Sequence, residues 1–168
     1  MATRTLGPMS FAELHDDFLA ITASTVFCTA TTVDGRGRPR NRILHPIFIV
    51  RDDAPVGWAL TGKTPLKTRH LEANPHMACA FWTPSHDTVF IDAVTTWVTD
   101  EDELRFTWEL FRDTPPPLGW GQAGLDGYGP EEWRSEIYTP LRLDPWRVQI
   151  MLGKEYPVGD LTGQVWRA

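Results

Sequence analysis

Cysteine is scarce in this chain of 168 residues: Cys28 and Cys79 are the only two, each inside an apolar, strand-like run. Without histidines at ligand spacing beside them they do not form a zinc site, and no metal is expected. Their surroundings imply buried free thiols, which suits a reducing cytoplasm. Long apolar runs are missing as well. The opening MATRTLGPMSF has no apolar core of a secretory signal, and no later run reaches the length of a membrane-spanning helix. A cytoplasmic protein without a membrane partner is the expectation. There is no basic excess either: 16 Lys and Arg stand against 22 Asp and Glu, for a net charge of −6. Sequence-independent nucleic-acid binders are usually basic, so nucleic acid is not expected as a partner. HExxH, EF-hand and GxSxG patterns are absent. No nucleophile–base pair of the kind acyl transfer needs is apparent.

The residues that are present read as one domain over 1–168, mainly β with some α (α+β). Ser10 and Glu13 make a capping box, and Phe11, Leu14, Phe18 and Leu19 recur at helical spacing after it. STVFCTATTV (24–33) and RNRILHPIFIV (40–50) flank DGRGRP, a hairpin signal. VGWAL (56–60), HMACAFW (76–82), TVFIDAVTTWVT (88–99) and LRLDPWRVQIML (141–152) read as further strands, and the tail TGQVWRA as a candidate edge strand. Helices are expected over LKTRHLEAN, behind Thr64-Pro65, and over 100–114, with a short one at EEWRSEIY. About six antiparallel strands with helices at their periphery close most naturally as a small barrel. PPPLGWGQAGLDGYGP (115–130) is the one long stretch without periodicity, a candidate substrate loop carrying Trp120 and Tyr128.

Cations concentrate in TGKTPLKTRHLEANP (61–75). A strand end at Thr61, a glycine and a helix N-terminus at Thr64 bring backbone N–H groups and hydroxyls to one point, and Lys63 and Lys67 add charge there. That chemistry suits a phosphate; a solvated basic turn is the competing reading. Gly62-Lys63-Thr64 also supplies the last letters of a Walker A loop, but an antiparallel topology does not suit a nucleotide hydrolase. Arg40 and Arg42 share one strand face. Arg42, next to a core run, needs an anionic partner more than the hairpin-tip residues Arg36 and Arg38 do. His45 is read as a core or interface histidine before a catalytic one. Trp146 with Arg147 sets an indole beside a cation, suited to covering a planar ring or to packing.

Together these stretches resemble the flavin-binding split-barrel superfamily of pyridoxamine 5′-phosphate oxidases, over about residues 23–99 and more weakly to 152. GRPRNRIL resembles the family's second-strand motif, whose arginine binds the FMN phosphate; Arg42 corresponds to it. ALTGKTPLKTRHLEANP resembles the family's strand–turn–helix, where a threonine and a lysine hold that phosphate; here they are Thr61 and Lys67. HMACAFW matches the fourth strand. The resemblance implies a six-stranded antiparallel split β-barrel with peripheral helices, usually a homodimer with flavin sites between subunits. It implies an oxidoreductase passing hydride between bound FMN and a small-molecule substrate. Arg40 and Lys63 would be further phosphate contacts, Ile43 and Leu44 would line the ring with their main chain, and Trp146 and Arg147 would close the cleft. Two departures stand out: Leu66 replaces the first member of a basic pair, and the C-terminal signature of true pyridoxamine oxidases is not recognisable. TWELFRDTPPPLGWG and LDPWRVQI look more like an actinobacterial branch using FMN or coenzyme F420. An F420-dependent reductase, and a non-catalytic flavin carrier or ligand-binding sensor, are the alternatives.

Overall fold

Glu13 closes the first turn as the sequence suggests, its carboxylate accepting from the Ser10 backbone N–H at 2.9 Å. This and the rest of the description come from a computed structural model covering residues 9–121, 132–158 and 163–168. A 3₁₀ turn, Phe11–Glu13, leads into helix α1 (His15–Thr25). Phe11, Leu14, Phe18 and Ile21 bury one face of this segment in the main core. The helix runs past the predicted strand start at Ser24. Thr22 and Thr25 satisfy their hydroxyls by donating back to the Phe18 and Ile21 carbonyls, at 2.8 and 2.7 Å. Val26, with φ of +64°, ends the helix.

The strands are β1 (Cys28–Val33), β2 (Pro39–Leu44), β3 (Pro46–Arg51), β4 (Ala54–Leu60), β5 (His76–Trp82), β6 (Thr88–Trp97), β7 (Pro140–Met151) and β8 (Gln164–Arg167). Helix α2 (Pro65–Ala73) lies between β4 and β5, and α3 (Glu101–Asp113) follows β6. All strands join one antiparallel sheet in the order β2-β1-β5-β6-β7-β4-β3, with β8 added to β7. The sheet is not hydrogen-bonded into a closed ring. Its two end strands, β2 and β3, are consecutive in the chain and separated only by His45.

That arrangement explains why eight strands stand where about six are read from the sequence. The run 40–50 splits at His45, because Pro46 has no N–H for the ladder and restricts the residue before it. The tail supplies the other addition, β8, paired to the outer half of β7. Alternation then sorts the side chains. Phe48, Ala59, Phe81, Ile91, Leu143 and Ile150 fill the barrel core, while Ile47 and Trp58 face outward beneath Phe111 of α3. Asp100 caps α3 by accepting from Glu103 N at 2.9 Å, and Glu103 accepts the Trp58 indole N–H at 2.8 Å.

Gly57 lies opposite Phe48 in the β3–β4 ladder, and a Cβ there would stand 2.4 Å from the Phe48 ring. Phe48 is buried and cannot step aside. Gly57→Ala is expected to lower stability by about 1–3 kcal/mol, measured as a reduced denaturant midpoint at unchanged slope. Gly35→Ala, with open space around it, should shift stability by less than about 0.5 kcal/mol; equal losses in the two variants would contradict this packing.

Candidate functional site: a cation seat at the split of the barrel

Residues 61–64 leave the sheet after β4 and enter α2 at Thr64, an extended N-cap followed by Pro65 in the first helical turn. Thr64 makes no side-chain cap hydrogen bond, so the first-turn N–H groups of α2 keep their capacity for an outside acceptor. Lys67 sits one turn in and is only 5 % exposed. Its Nζ donates to the Gly62 carbonyl at 2.8 Å and to Thr61 Oγ1. The ammonium groups of Lys63 and Lys67 stand 5.3 and 5.7 Å from the centre of the Trp97 ring, which holds both by cation–π attraction.

Arg42 comes from β2, at the sheet edge beside α2. Its Nη1 donates to Thr32 Oγ1 at 3.0 Å. The Thr32 hydroxyl also shares a hydrogen bond with His70 Nδ1, 3.1 Å away on the same face of α2 as Lys67. Thr32 and His70 are both buried, so β1, β2 and α2 are tied at one point. Burial, and next the charge of Arg42, bring the Lys67 pKa down from 10.5 to about 8. Burial likewise lowers that of Arg42. Among the described residues no carboxylate lies within ion-pair distance of Arg42, Lys63 or Lys67. A buried lysine beside a part-buried arginine, neither with a counter-charge among the described residues, is an arrangement suited to an anion.

The eight letters GWALTGKT (57–64) spell the full GxxxxGKT of a Walker A loop, with Gly57 as its first glycine. The structure removes that reading. Residues 57–60 belong to β4 and pair with β3 on one side and β7 on the other, so they do not wrap a phosphate.

Other candidates lie around this seat or away from it. Arg40 is one step nearer the hairpin tip and lines a separate cleft with Arg36, Arg38, Leu66 and Arg69. Ile43 projects from the outer sheet face and is 65 % exposed, while Leu44 is in the core. Trp120 packs on Phe111 and Trp108, with ring centres 5.5 and 6.1 Å apart. With Trp108, Ile137 and Tyr138 it lines a cavity of about 220 Å³ that reaches Leu60, Thr61 and Gly62. Thr61 is therefore a shared wall: its hydroxyl meets Lys67 and its carbonyl accepts from Thr139 Oγ1 at 2.9 Å. Tyr128 lies outside the described residues.

Trp146 stands at a bulge, between Pro145 and Arg147, which pair with the consecutive residues Ala93 and Asp92 of β6. Its indole is exposed and meets His76 edge-on at 6.4 Å, in a third concavity of about 230 Å³. Arg147 is paired with Asp92 at 3.1 Å and donates to Gln149 at 2.6 Å. Among the described residues, neither Trp146 nor Arg147 lines a described concavity together with Lys67. His45 bonds the Leu118 carbonyl through Nε2 between Phe27 and Phe111. Burial lowers its pKa, and that bond partly opposes the shift.

Sequence reasoning passed over Thr32, His70 and Tyr138, and read Trp97 and Trp108 as core or interface residues only. For His70 a signal existed, since it follows Lys67 by three residues on one helix face. For Thr32 and Trp97 there was none, because their partners are distant in the chain. Among the described residues no cluster of His, Cys, Asp and Glu is placed to hold a metal ion, and no helix is long and apolar enough to cross a membrane.

No protein-family model matches the sequence, and no curated protein matches it. Solved structures do. A Clostridium acetobutylicum protein, described as related to general stress protein 26 and of the pyridoxinephosphate oxidase family, superposes with a TM-score of 0.63 at 14 % identity, over 95 % of this chain and 96 % of its own. A conserved hypothetical protein of Mycobacterium tuberculosis gives 0.62 at 15 % identity over 96 % of both chains. A pyridoxamine 5′-phosphate oxidase-related, FMN-binding protein of Nostoc punctiforme gives 0.57 at 17 % identity, over 89 % of this chain and 86 % of its own. The chain has the split-barrel fold of the pyridoxamine 5′-phosphate oxidase-like proteins.

Proposed function

We propose that the Arg42–Lys67 seat holds the phosphate of a flavin-type cofactor, FMN in the first instance, in an oxidoreductase acting on a small-molecule substrate. The observation that carries this reading is the buried Lys67 beside the part-buried Arg42, with no carboxylate against either among the described residues, next to the uncapped first turn of α2. The described FMN binding of the Nostoc punctiforme protein, which has the same fold, supports it. The cofactor would supply hydride transfer, and the protein binding, orientation and electrostatics. Arg42, Lys67 and Thr61 would grip the phosphate, with Lys63 reaching it from its place over Trp97. Main-chain groups of Ile43, Leu44 and the end of β4 would border the ring. The aromatic cavity across Thr61, with Trp120 in its wall, would receive the substrate beside the cofactor.

A homodimer fits the outer sheet face. There Ile43, Thr29, Ala80 and Phe90 follow one another in register across β2, β1, β5 and β6. Ile43, Phe90 and the nearby Trp82 are exposed. A second copy covering this face would bring its own Trp146 and Arg147 towards the cleft. Coenzyme F420 presents a phosphate to the same seat and is the second reading, in a cytoplasmic enzyme of the same kind.

Absorption spectroscopy and mass analysis of whatever the freshly purified protein releases on denaturation should identify FMN or F420. A protein that releases neither and binds neither on titration would overturn the reading. Replacing both cations, Arg42→Met with Lys67→Met, removes two charge-assisted contacts and should weaken cofactor binding by about a hundredfold or more; unchanged affinity would refute the seat. If the holoprotein passes no electrons to any small acceptor in stopped-flow reduction and reoxidation, it is a carrier or sensor instead.

The Lys67 pKa gives a separate expectation. Phosphate binding needs the ammonium form, so affinity should fall as pH rises through about 8, approaching tenfold per pH unit. Lys67→Met should flatten that dependence. For stability the sign is the reverse of a salt-bridged lysine. The folded pKa lies below the unfolded value of 10.5, so the unfolded chain holds more protons between about 8 and 10.5. The unliganded protein therefore gains stability over that interval, and a loss in pH-dependent denaturation would contradict the burial of this charge.

A further inference from the structure

The cavity that shares Thr61 with the seat has a chemistry of its own. Its volume of about 220 Å³ is below the ~300–1,000 Å³ of pockets for drug-sized ligands. One or two rings, or a compact branched group, would fill it. Three aromatic side chains wall it: Trp108 from α3, Trp120 from the segment after α3, and Tyr138 from the approach to β7. They stand steeply to one another. The Trp108 ring meets Trp120 at 83° and Tyr138 at 75°, with centres 6.1 and 5.4 Å apart. Rings set that way form the sides of a box and not a stack. Ile137, 78 % exposed, completes the apolar lining on its solvent side.

Glu132, which opens a 3₁₀ turn (Glu132–Arg134), is the one charged side chain among the described lining residues. Its carboxylate has no ion-pair or hydrogen-bond partner among the described residues. The nearest cation in the chain is engaged elsewhere: Arg134 pairs with Glu101 at 2.7 Å and lies over the Trp133 ring at 4.6 Å. Lys67 reaches Thr61 and Gly62 from the seat and does not line the cavity. The Tyr138 hydroxyl is committed as well. It donates to Thr107 Oγ1 at 3.0 Å, and Thr107 donates onward to the Leu104 carbonyl at 2.8 Å. Burial holds that phenol protonated, with its pKa pushed up to about 13. Tyr138 therefore offers its ring and not its proton. Aromatic side chains around a hollow are ordinary packing, and a glutamate at a surface needs no ligand. Together they agree in sign: ring faces and a carboxylate both attract positive charge, and a phosphate in the seat would add to the same field across Thr61.

We infer that this cavity selects a small organic cation, a protonated or quaternary nitrogen on an apolar or aromatic frame, walled by Trp108, Trp120 and Tyr138 and with Glu132 as its counter-ion. Read as the substrate class of the oxidoreductase, the inference rests on the proposed cofactor seat; read as a binding site, it does not. An anion of the same size would meet the unpaired carboxylate, and a neutral ring would gain only the apolar walls.

Calorimetric titration of the full chain, with and without saturating FMN, tests it with three single-ring probes: phenyltrimethylammonium, benzyl alcohol and benzoate. The ammonium should bind saturably and at least about tenfold more tightly than either of the others. Glu132→Gln keeps the shape and removes the charge. It should weaken the ammonium by about tenfold and leave benzyl alcohol within about threefold. Trp120→Leu should weaken the ammonium in the same direction; circular dichroism checks both folds, and Glu132→Gln alone decides if Trp120→Leu does not fold. Absence of saturable ammonium binding, a preference for benzyl alcohol or benzoate, or equal ammonium affinity in wild type and Glu132→Gln overturns the inference. Bound ammonium should also shift the visible absorption of bound FMN, because the two ligands meet across Thr61. An unchanged spectrum overturns the substrate assignment and leaves the cation site standing. If the chain binds no flavin while Glu132-dependent ammonium binding persists, the phosphate seat fails and the cation site stands. If FMN binds and the ammonium does not, the seat stands and the cation site fails.

Discussion

Pro46 has no backbone N–H to give, and the chain turns on that fact. Leu44 ends the strand at one edge of the sheet and Pro46 begins the strand at the opposite edge, with His45 alone between them. A hydrogen-bonded barrel would have β2 and β3 side by side. Here the ladder stops and leaves a gap between the two edges, and α2 packs nearby on β1, where His70 meets Thr32. Arg42 faces that gap from β2, while the end of β4 delivers Thr61 and Gly62 from the other side, since β4 pairs with β3 through Ala59 and Pro46. His45 itself is pinned to the Leu118 carbonyl, which ties the segment after α3 to the same junction. The edge strand β2 and the end of β4 thus each contribute to the cation cluster, through Arg42 and through Thr61 and Gly62.

Holding the two cations there has a cost. A lysine pKa lowered from 10.5 to about 8 corresponds to about 3 kcal/mol set against the charged form. The fold offsets it locally, through the Thr61 hydroxyl, the Gly62 carbonyl and the face of Trp97. None of these is an anion. Elsewhere the chain pairs its partly buried arginines with carboxylates: Arg147 with Asp92, Arg142 with Glu103 and Asp144. The contrast makes the seat informative, because the same sequence had acids in hand and placed none of them against Arg42 or Lys67.

Strand alternation, the Ser10–Glu13 capping box and the Thr64-Pro65 helix start were all legible in the sequence because each is a local signal with a period or a fixed offset. The cluster of cations at 61–67 was legible for the same reason. What escaped was long-range. The run 40–50 looks continuous by composition, and only its two different ladder partners reveal the break at His45. Thr32 and His70 are 38 residues apart, and nothing local says that they meet. Arg147 is paired with Asp92 across 55 residues, so much of the charge that seemed available beside Trp146 already has a partner. The letters GWALTGKT show the opposite failure: a complete motif with the wrong backbone beneath it, extended and laddered where a Walker A loop must be curved and open.

The net charge of the chain and the charge of its clefts act over different distances, and salt separates them. A net charge of −6 repels anionic ligands from afar, but beyond about 8 Å that field is largely screened at physiological ionic strength. Attraction at the seat works at contact, between groups taken out of water, and screening touches it little. An anion-binding protein can therefore remain acidic overall. On the proposed reading the average charge sets the far field of the molecule, and anion recognition rests on Lys67 and the few cations near it that have no carboxylate partner among the described residues.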